Sequence, residues 1–393
     1  MVNSVNKWIW EHSDYPTFPY NKNKIKEKLR KVEYLRGLLS GVLSFSNQKD
    51  LDELEIASIT DEIINTSQIE GEYLRRESVR DSVAKAINKN YTSVKDMSTR
   101  HTDSLTELIL DCHRNNEPLS VERLHGWHNA LFANTSGYEG VKKITIATFR
   151  NYDDMKVVEN VFGRGGEVVK YIAPPYKLIE KDIESLIKYC NTSDDNPYVK
   201  SALVHLWFVA IHPYDDGNGR ISRAIADYVL SHDTSEEYKI YSMSTAIYTK
   251  RAEYYEMLDM TTNLHKNRHY DFTLWVEWSI DILISALENT HESILFIIKK
   301  TKFWDRHREA KFTKQHIQFF NAFMESLSKG NKNEFSNNDY RNITGTSPVT
   351  ASRHIKKLLE YGCVKKVEGK AKRNASYVLI LELSDTTVDH VFS

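Results

Sequence analysis

Cysteine is scarce: Cys112, Cys190 and Cys363 are the only three in 393 residues. They are far apart and odd in number, which excludes a disulfide framework and a paired metal-ligand spacing and fits a reducing cytosol. Long apolar runs are missing too. A membrane helix needs about 18 uncharged apolar residues, and the nearest stretch, Trp275 to Ile284, is short and carries Glu277 and Asp281. The opening "MVNSVNKWIWEHSDYPTFPY" has aromatics and acids where a secretory signal has a basic end and an apolar core. No charge of one sign dominates: the net charge is -1, so a nucleic-acid surface must be local. Low-complexity tracts and repeats of fixed period are absent as well. These absences predict a soluble, cytoplasmic protein with no membrane partner.

What is present is an ordinary globular composition, 40% apolar and 27% charged, in a chain too long for one core. The opening stretch, with Pro16 and Pro19, reads as an extended or turn segment whose rings pack onto something else. Helical spacing starts near Ile25 and continues through Leu29, Val32, Leu35 and Leu39. A second helix follows the break at Asn47 to Asp50, and Gly71 after Glu70 is its natural stop. Helical spacing recurs over Ser93 to Cys112 and Val121 to Phe132. "KITIATF" and "EVVKYIAPP" then read as short strands around Gly163, Gly165 and Gly166, predicting a β-hairpin inside a helical domain. Further helices are expected over Leu178 to Cys190, Tyr248 to Thr262 and Phe272 to Lys300, and "VKSALVHLWFVAIHP", apolar nearly all round, as a central buried helix. "KFWDRHREAKF" reads as a charged linker helix. Beyond it come helix, turn, helix and β-hairpin, the order of a winged helix-turn-helix.

The densest polar cluster, "AIHPYDDGNGRISRAIADYV" from Ala210 to Val229, directly follows that buried helix. Gly217, Asn218 and Gly219 sit where a loop gives way to a helix, whose first N–H groups lack partners and carry the positive dipole end. Arg220 and Arg223 are three apart, hence on one helix face, and can point at one polyanion. Asp216 suits Mg²⁺, a hard ion that takes one or two carboxylates plus phosphate oxygens. His212, mounted on a rigid helix, can accept a proton near neutral pH. Together these parts describe transfer from a nucleotide phosphate to a nucleophile that His212 deprotonates. A zinc site through His205 and His212 fails on spacing, and a P-loop fails because "DDGNGRIS" lacks the lysine of that motif.

"HPYDDGNGRISR" resembles the signature of Fic-domain proteins, His-Pro-Phe-x-Asp/Glu-Gly-Asn-Gly-Arg-x-x-Arg, with Tyr214 in place of Phe. The resemblance extends over roughly Ser93 to Lys300. It implies transfer of AMP from ATP, with Mg²⁺, to a Ser, Thr or Tyr hydroxyl of a target protein. By that likeness His212 is the general base, Asp216 the metal ligand, Gly217, Asn218 and Gly219 the anion hole, and Arg220 and Arg223 the holders of the outer phosphates. Tyr214 anchors the loop and its hydroxyl needs a partner. Val161 to Pro175 resembles the family's flap, which aligns a target by strand pairing. Tyr254 and Tyr255, with Leu258, are similar to a family element near the adenosine pocket.

"TSQIEG" resembles the family's inhibitory motif, Ser/Thr-x-x-x-Glu-Gly/Asn, as Thr66, Glu70 and Gly71. A motif ahead of the Fic core corresponds to the class inhibited within one chain. Glu70 is expected to make a bidentate pair with Arg223 and to place negative charge where the outer phosphate goes. The opening also resembles a module found before many bacterial Fic domains. At the other end, residues 341 to 376 hold nine Lys and Arg against Glu360 and Glu368. That local excess suits DNA, with Thr350 to Tyr361 as recognition helix and Lys370 to Arg373 on the wing. Winged helices serve equally as protein-interaction or dimerisation modules, so a homodimer stays open.

The sequence therefore predicts a mainly α fold: a Fic-type helical core with a short β-hairpin flap, and a small α+β winged-helix domain. The expected divisions are a helical N-terminal module at 1–92, a catalytic domain at 93–303, and a linker helix with winged helix at 304–393. The expected function is autoinhibited protein adenylyltransfer using ATP and Mg²⁺. The alternatives are removal of AMP or transfer of another phosphate-linked group at the same site, or a nucleotide-binding transcription regulator.

Overall fold

A computed structural model describes residues 7–381, apart from 45, 89–90, 94, 133–143, 162–165, 235–236, 329 and 369–374. The chain forms two compact units, Met1–Asn289 and Thr290–Ser393. Both are mainly helical, and among the described residues no helix is long and apolar enough to cross a membrane.

In the first unit, α1 (Lys22–Leu43) starts at Asn21, whose side chain accepts from Asn23 N, and α2 (Gln48–Ile69) starts at Asn47, which accepts from Asp50 N. After α2 the backbone turns at Gly71, φ +86°, a conformation that glycine adopts without a Cβ penalty. Then come α3 (Arg76–Ile87), α4 (Arg100–Arg114) and α5 (Val121–Phe132). The hairpin β1 (Lys156–Val161) and β2 (Gly166–Ile172) leads through a short turn to α6 (Ile179–Thr192), α7 (Pro197–Ile211) and α8 (Asn218–Asp233). The unit closes with α9 (Met243–Thr249), α10 (Arg251–Thr262) and the first part of α11 (Thr273–Arg306).

Helix α7 is the mount. Pro197 at its first turn and Asn196, whose side chain accepts from Tyr198 N and Val199 N, fix its start, and all of its residues but Pro197 and Val209 are buried. Val204, Phe208 and Ile211 pack with Ile221 and Ile225 of α8, Ile59 and Ile63 of α2, and Leu124 of α5 in one core. Each such side chain contributes about 1.5–3 kcal/mol, so the α7–α8 junction rests on a buried apolar core. The aromatic opening packs as its composition suggested: Trp8 lies edge-on to Tyr171 at 5.2 Å, and Phe18 meets Trp207 and Phe272.

Several local expectations change. Helix α3 carries no strong periodic signal of its own. Helix α4 starts at Arg100 rather than near Ser93, because Thr99 caps it by accepting from Thr102 N. The single helix expected over Tyr248 to Thr262 is broken at Lys250 into α9 and α10. β2 pairs with Lys156–Val161 and not with "KITIATF". The described part of that segment instead bonds to α5 and the α7–α8 junction: Thr145 N donates to Asp215 Oδ2 and Ala147 N to His128 Nδ1, and Arg150 just after the segment donates its N–H to Pro213 O. The tip of the expected flap, 162–165, lies outside the described residues.

The second unit is built on α12 (Lys314–Ser328), β3 (Phe335–Ser336), α13 (Asn337–Thr344), α14 (Pro348–Glu360), β4 (Val364–Lys366) and β5 (Ser376–Leu379). The strands form an antiparallel sheet in the order β3-β5-β4. Phe319, Phe320, Phe335, Tyr340, Ile355 and Leu358 fill the core. The segment expected to be a solvated linker helix is the end of α11 followed by a turn, because Phe303, Trp304 and Phe312 pack around Phe320 instead of facing water. α14 buries Ala351, His354, Ile355 and Leu358 and exposes Ser352, Arg353, Lys356 and Lys357. Lys370 to Arg373, expected on the wing, lie outside the described residues.

Candidate active site

The end of α7 sets the geometry. His212 follows Ile211 in a left-handed conformation, φ 49° and ψ 59°, and its N–H still bonds to Phe208 O at 3.0 Å. A non-glycine residue there costs on the order of 1 kcal/mol and persists only when its surroundings hold it. The half-buried ring places Nδ1 3.3 Å from Val209 O. With the proton on Nδ1, Nε2 is the free base. Burial lowers the imidazole to about 4; Val209 O, Glu70 and Asp216 oppose that shift and Arg150 adds to it. The ring is therefore neutral at pH 7, the form a general base requires.

The loop after His212 is folded around Tyr214, which is fully buried and stacked on His128 with ring centroids 4.0 Å apart. Its hydroxyl meets His125 Nδ1 at 3.0 Å, the partner its substitution for Phe demanded. Asn218 closes the loop: Oδ1 accepts from Tyr214 N at 2.9 Å and Nδ2 donates to Tyr214 O at 2.8 Å. Its side chain is thus consumed internally, and only its backbone N–H faces the helix end. Gly217 has φ +81°, and a Cβ there would come within 3.1 Å of the Phe132 ring. Asp216 is exposed, with Oδ1 accepting from Gly217 N. Among the described residues no three His, Cys, Asp or Glu gather to hold a metal ion. Asp216 alone fits Mg²⁺ only together with substrate phosphate oxygens and water.

Helix α8 begins without a side-chain cap, so its first N–H groups are open to an anion. Arg220 and Arg223 are 8% and 4% exposed. Among the described residues Arg220 Nε and Arg223 Nη1 are buried with no hydrogen-bond partner. An orphaned buried donor costs about 1–3 kcal/mol, more when charged, and two beside an uncapped helix start make an anion cradle.

The rest of each guanidinium is held by the segment ending α2. Arg223 Nε donates to Thr66 Oγ1 at 2.8 Å, and Nη2 donates to Thr66 O at 3.0 Å and Glu70 Oε1 at 2.7 Å. The Glu70 pair thus runs through Nη2 alone rather than through two nitrogens, with Thr66 on the Nε edge and Nη1 left without a partner among the described residues. Glu70 lies directly over Gly219, where a Cβ would collide with its Oε1 and come within 3.3 Å of Arg223 Nη1. Gly71 provides the turn beyond it.

Four participants had no sequence signal. Glu72 accepts from Arg220 Nη1 at 2.8 Å and pairs with His101 Nε2 at 3.0 Å. Although burial pushes its carboxyl up, His101 and Arg220 together hold it below the ordinary value. Arg251 Nε donates to Ile69 O at 2.8 Å, beside Tyr255, whose hydroxyl donates to the same carbonyl at 3.1 Å. Arg150, 3% exposed, bonds three backbone carbonyls of the junction and the hairpin base. Of the two tyrosines predicted near adenosine, Tyr255 is partly exposed beside the α2 terminus. Tyr254 is 1% exposed, stacked on Trp278 and bonded to His205 Nε2 at 3.0 Å.

Residues 118–230 match the Fic/DOC family model, and residues 8–88 match a domain of unknown function, DUF4172. A Fido domain-containing protein of Dictyostelium discoideum is 41% identical over 58 residues, 14% of this chain and 41% of that protein. The chain therefore spans well under half the length of this curated relative. The crystal structure of a Fic family protein from Desulfovibrio desulfuricans G20 has the same fold over 92% of this chain and 98% of its own, with TM-score 0.53 and 18% identity. A Fic domain containing signaling protein from Bacteroides thetaiotaomicron VPI-5482 covers 68% of this chain and 94% of its own, with TM-score 0.47 and 18% identity.

Proposed function

We propose that this chain, which carries a Fic/DOC domain, is a protein adenylyltransferase that moves AMP from ATP to a hydroxyl of a target protein and is restrained by its own Glu70. The observation that carries the reading is the pair of orphaned arginine donors, Arg220 Nε and Arg223 Nη1, at the uncapped start of α8 beside a neutral His212. The outer phosphates of ATP satisfy those donors and the N–H groups of Asn218, Gly219 and Arg220. His212 Nε2 takes the proton of the target hydroxyl. The hydroxyl oxygen bonds to the α-phosphorus, the bond from that phosphorus to the bridging oxygen breaks, and pyrophosphate leaves with its electron pair. Asp216 would hold Mg²⁺, which supplies charge neutralisation for the phosphates when bound. Positioning and fixed charge supply most of the acceleration.

Glu70 opposes this by sitting on Arg223 and over Gly219, in the space of an outer phosphate. The hairpin β1–β2 is the docking edge for the target strand. The test uses ATP labelled at the α- or the γ-phosphate with Mg²⁺ and the Glu70→Gly protein. Incorporation of the α label alone supports AMP transfer; incorporation of the γ label alone, or of neither, rejects it.

The exposed Arg353, Lys356 and Lys357 of α14, with exposed Lys365 and Lys366 on β4, favour a second role for the C-terminal unit. We propose that it is a winged helix that binds DNA through α14. A mobility shift at low salt that weakens as salt rises supports this, and no shift at low salt rejects it.

A further inference from the structure

We infer that Arg150 is a positioning residue that locks His212 to the base of the β1–β2 hairpin, so that a strand docked on the hairpin presents its hydroxyl in register with Nε2. The inference rests on the transfer reading above for its functional meaning, while its structural content stands on Arg150 alone.

Arg150 grips two consecutive carbonyls of the junction. Its backbone N–H donates to Pro213 O at 2.8 Å, and Nε donates to His212 O at 2.9 Å. The second bond falls on the left-handed residue, whose backbone conformation needs an outside hold to persist. The remaining donors point the other way. Nη1 donates to Tyr152 O at 2.8 Å and Nη2 to Pro174 O at 2.6 Å, just past the end of β2. One planar fork thus bridges the catalytic turn and both ends of the segment that carries the hairpin.

The side chain is 3% exposed, and none of its hydrogen bonds among the described residues goes to a carboxylate. A buried guanidinium hydrogen-bonded only to carbonyls, with Asp153 and Asp215 acting on it through space, is costly to keep unless its geometry is used. Lysine has the charge but carries its three donors on one nitrogen at the end of a flexible stem, so it cannot span three carbonyls in one plane. Two further links tighten the same base: Tyr171 OH donates to Ala210 O at 2.8 Å, and Trp10 Nε1 donates to Ile172 O at 2.8 Å. Of these three side chains only Arg150 is hydrogen-bonded to His212. The charged groups acting on the His212 ring are Arg150, Glu70 at the end of α2 and Asp216 in the loop.

The test is nuclear magnetic resonance of the nitrogen-labelled His212 ring in the full chain, read alongside transfer in the Glu70→Gly background. The parent is expected to show one tautomer, protonated at Nδ1. Arg150→Lys is expected to give mixed tautomers and about 100-fold slower transfer, with KM for ATP changed by no more than about twofold. Trp10→Phe, which loosens the hairpin without touching His212, is expected to keep the single tautomer. A single Nδ1 tautomer in Arg150→Lys, or equal mixing in Trp10→Phe, overturns the inference. If Glu70→Gly transfers nothing, the transfer reading falls, and the tautomer result still decides for or against Arg150. Should thermal melting show that Arg150→Lys does not fold, Arg150→Gln is judged by the same criteria.

Discussion

Removing the charge of Glu70 should open the site, and the size of the effect follows from the geometry. The carboxylate is 2.7 Å from Arg223 Nη2, with the two side chains 31% and 3% exposed. ATP must first break this charge-assisted hydrogen bond, at about 1.5–3 kcal/mol. It must then bring a phosphate charge to about 4 Å from the displaced or remaining carboxylate, a repulsion of about 4 kcal/mol at an effective dielectric of 20. Glu70 is nearly a third exposed, so screening removes a good part of this. About 3 kcal/mol remains, or roughly a 100-fold gain in ATP affinity for Glu70→Gly. Glu70→Gln keeps the shape without the charge and should fall between wild type and Glu70→Gly. Titration calorimetry with ATP and Mg²⁺, paired with auto-modification rates, measures both. Equal ATP affinity in wild type and Glu70→Gly would refute the reasoning, since the pair would then cost the nucleotide nothing.

Three further outcomes are expected. Thr66→Val removes the hydroxyl that holds Arg223 Nε and weakens the latch by about 1 kcal/mol, so auto-modification should rise, but less than in Glu70→Gly; no rise would show that Thr66 is not part of the latch. In Glu70→Gly, kcat/KM should stay flat down through pH 6.5, with its acid limb below that value, because burial lowers His212 to about 4, Arg150 acts in the same direction and only Asp216 then opposes it among the charged groups; an acid limb at or above 6.5 would exclude His212 as the base it reports. Burial also lowers His128 to about 4, and His113 and His205 to about 3. Below 6.5 the unfolded chain takes up protons that the native state does not, so stability should fall as pH drops towards 4, by at most about 1.4 kcal/mol per pH unit for each imidazole. Thermal melts at pH 7.5 and 5.5 check this, and an unchanged midpoint would contradict it.

Legibility in the sequence followed the locality of the interactions. The His212 to Arg223 group lies in one contiguous stretch after an apolar helix, so its residues could be placed together from spacing alone. Thr66 and Glu70 were visible as a motif, yet the single-nitrogen form of the Glu70 pair is set by how the end of α2 meets Arg223 of α8 across the fold. Glu72 and His101 become neighbours of Arg220 only through the packing of α2, α4 and α8, and no pattern in the chain announces them. Arg150 is the extreme case: its partners are backbone carbonyls, which every residue has. The strand expected at "KITIATF" failed because the N–H groups of Thr145 and Ala147 go to the side chains of Asp215 and His128 rather than to a partner strand, and Ile146 stays exposed. Tyr254 and Tyr255, adjacent in sequence, point to different surroundings because neighbouring helical positions diverge by about 100°.

In the proposed function His212 drives covalent transfer of AMP from a site that Glu70 obstructs. The most direct measurement of this is the intact mass of folded Glu70→Gly after incubation with ATP and Mg²⁺, beside the same protein carrying His212→Ala. A gain of one or more AMP groups is expected in the first and none in the second. An unchanged mass in Glu70→Gly with ATP bound, or the same gain in the His212→Ala protein, would contradict it.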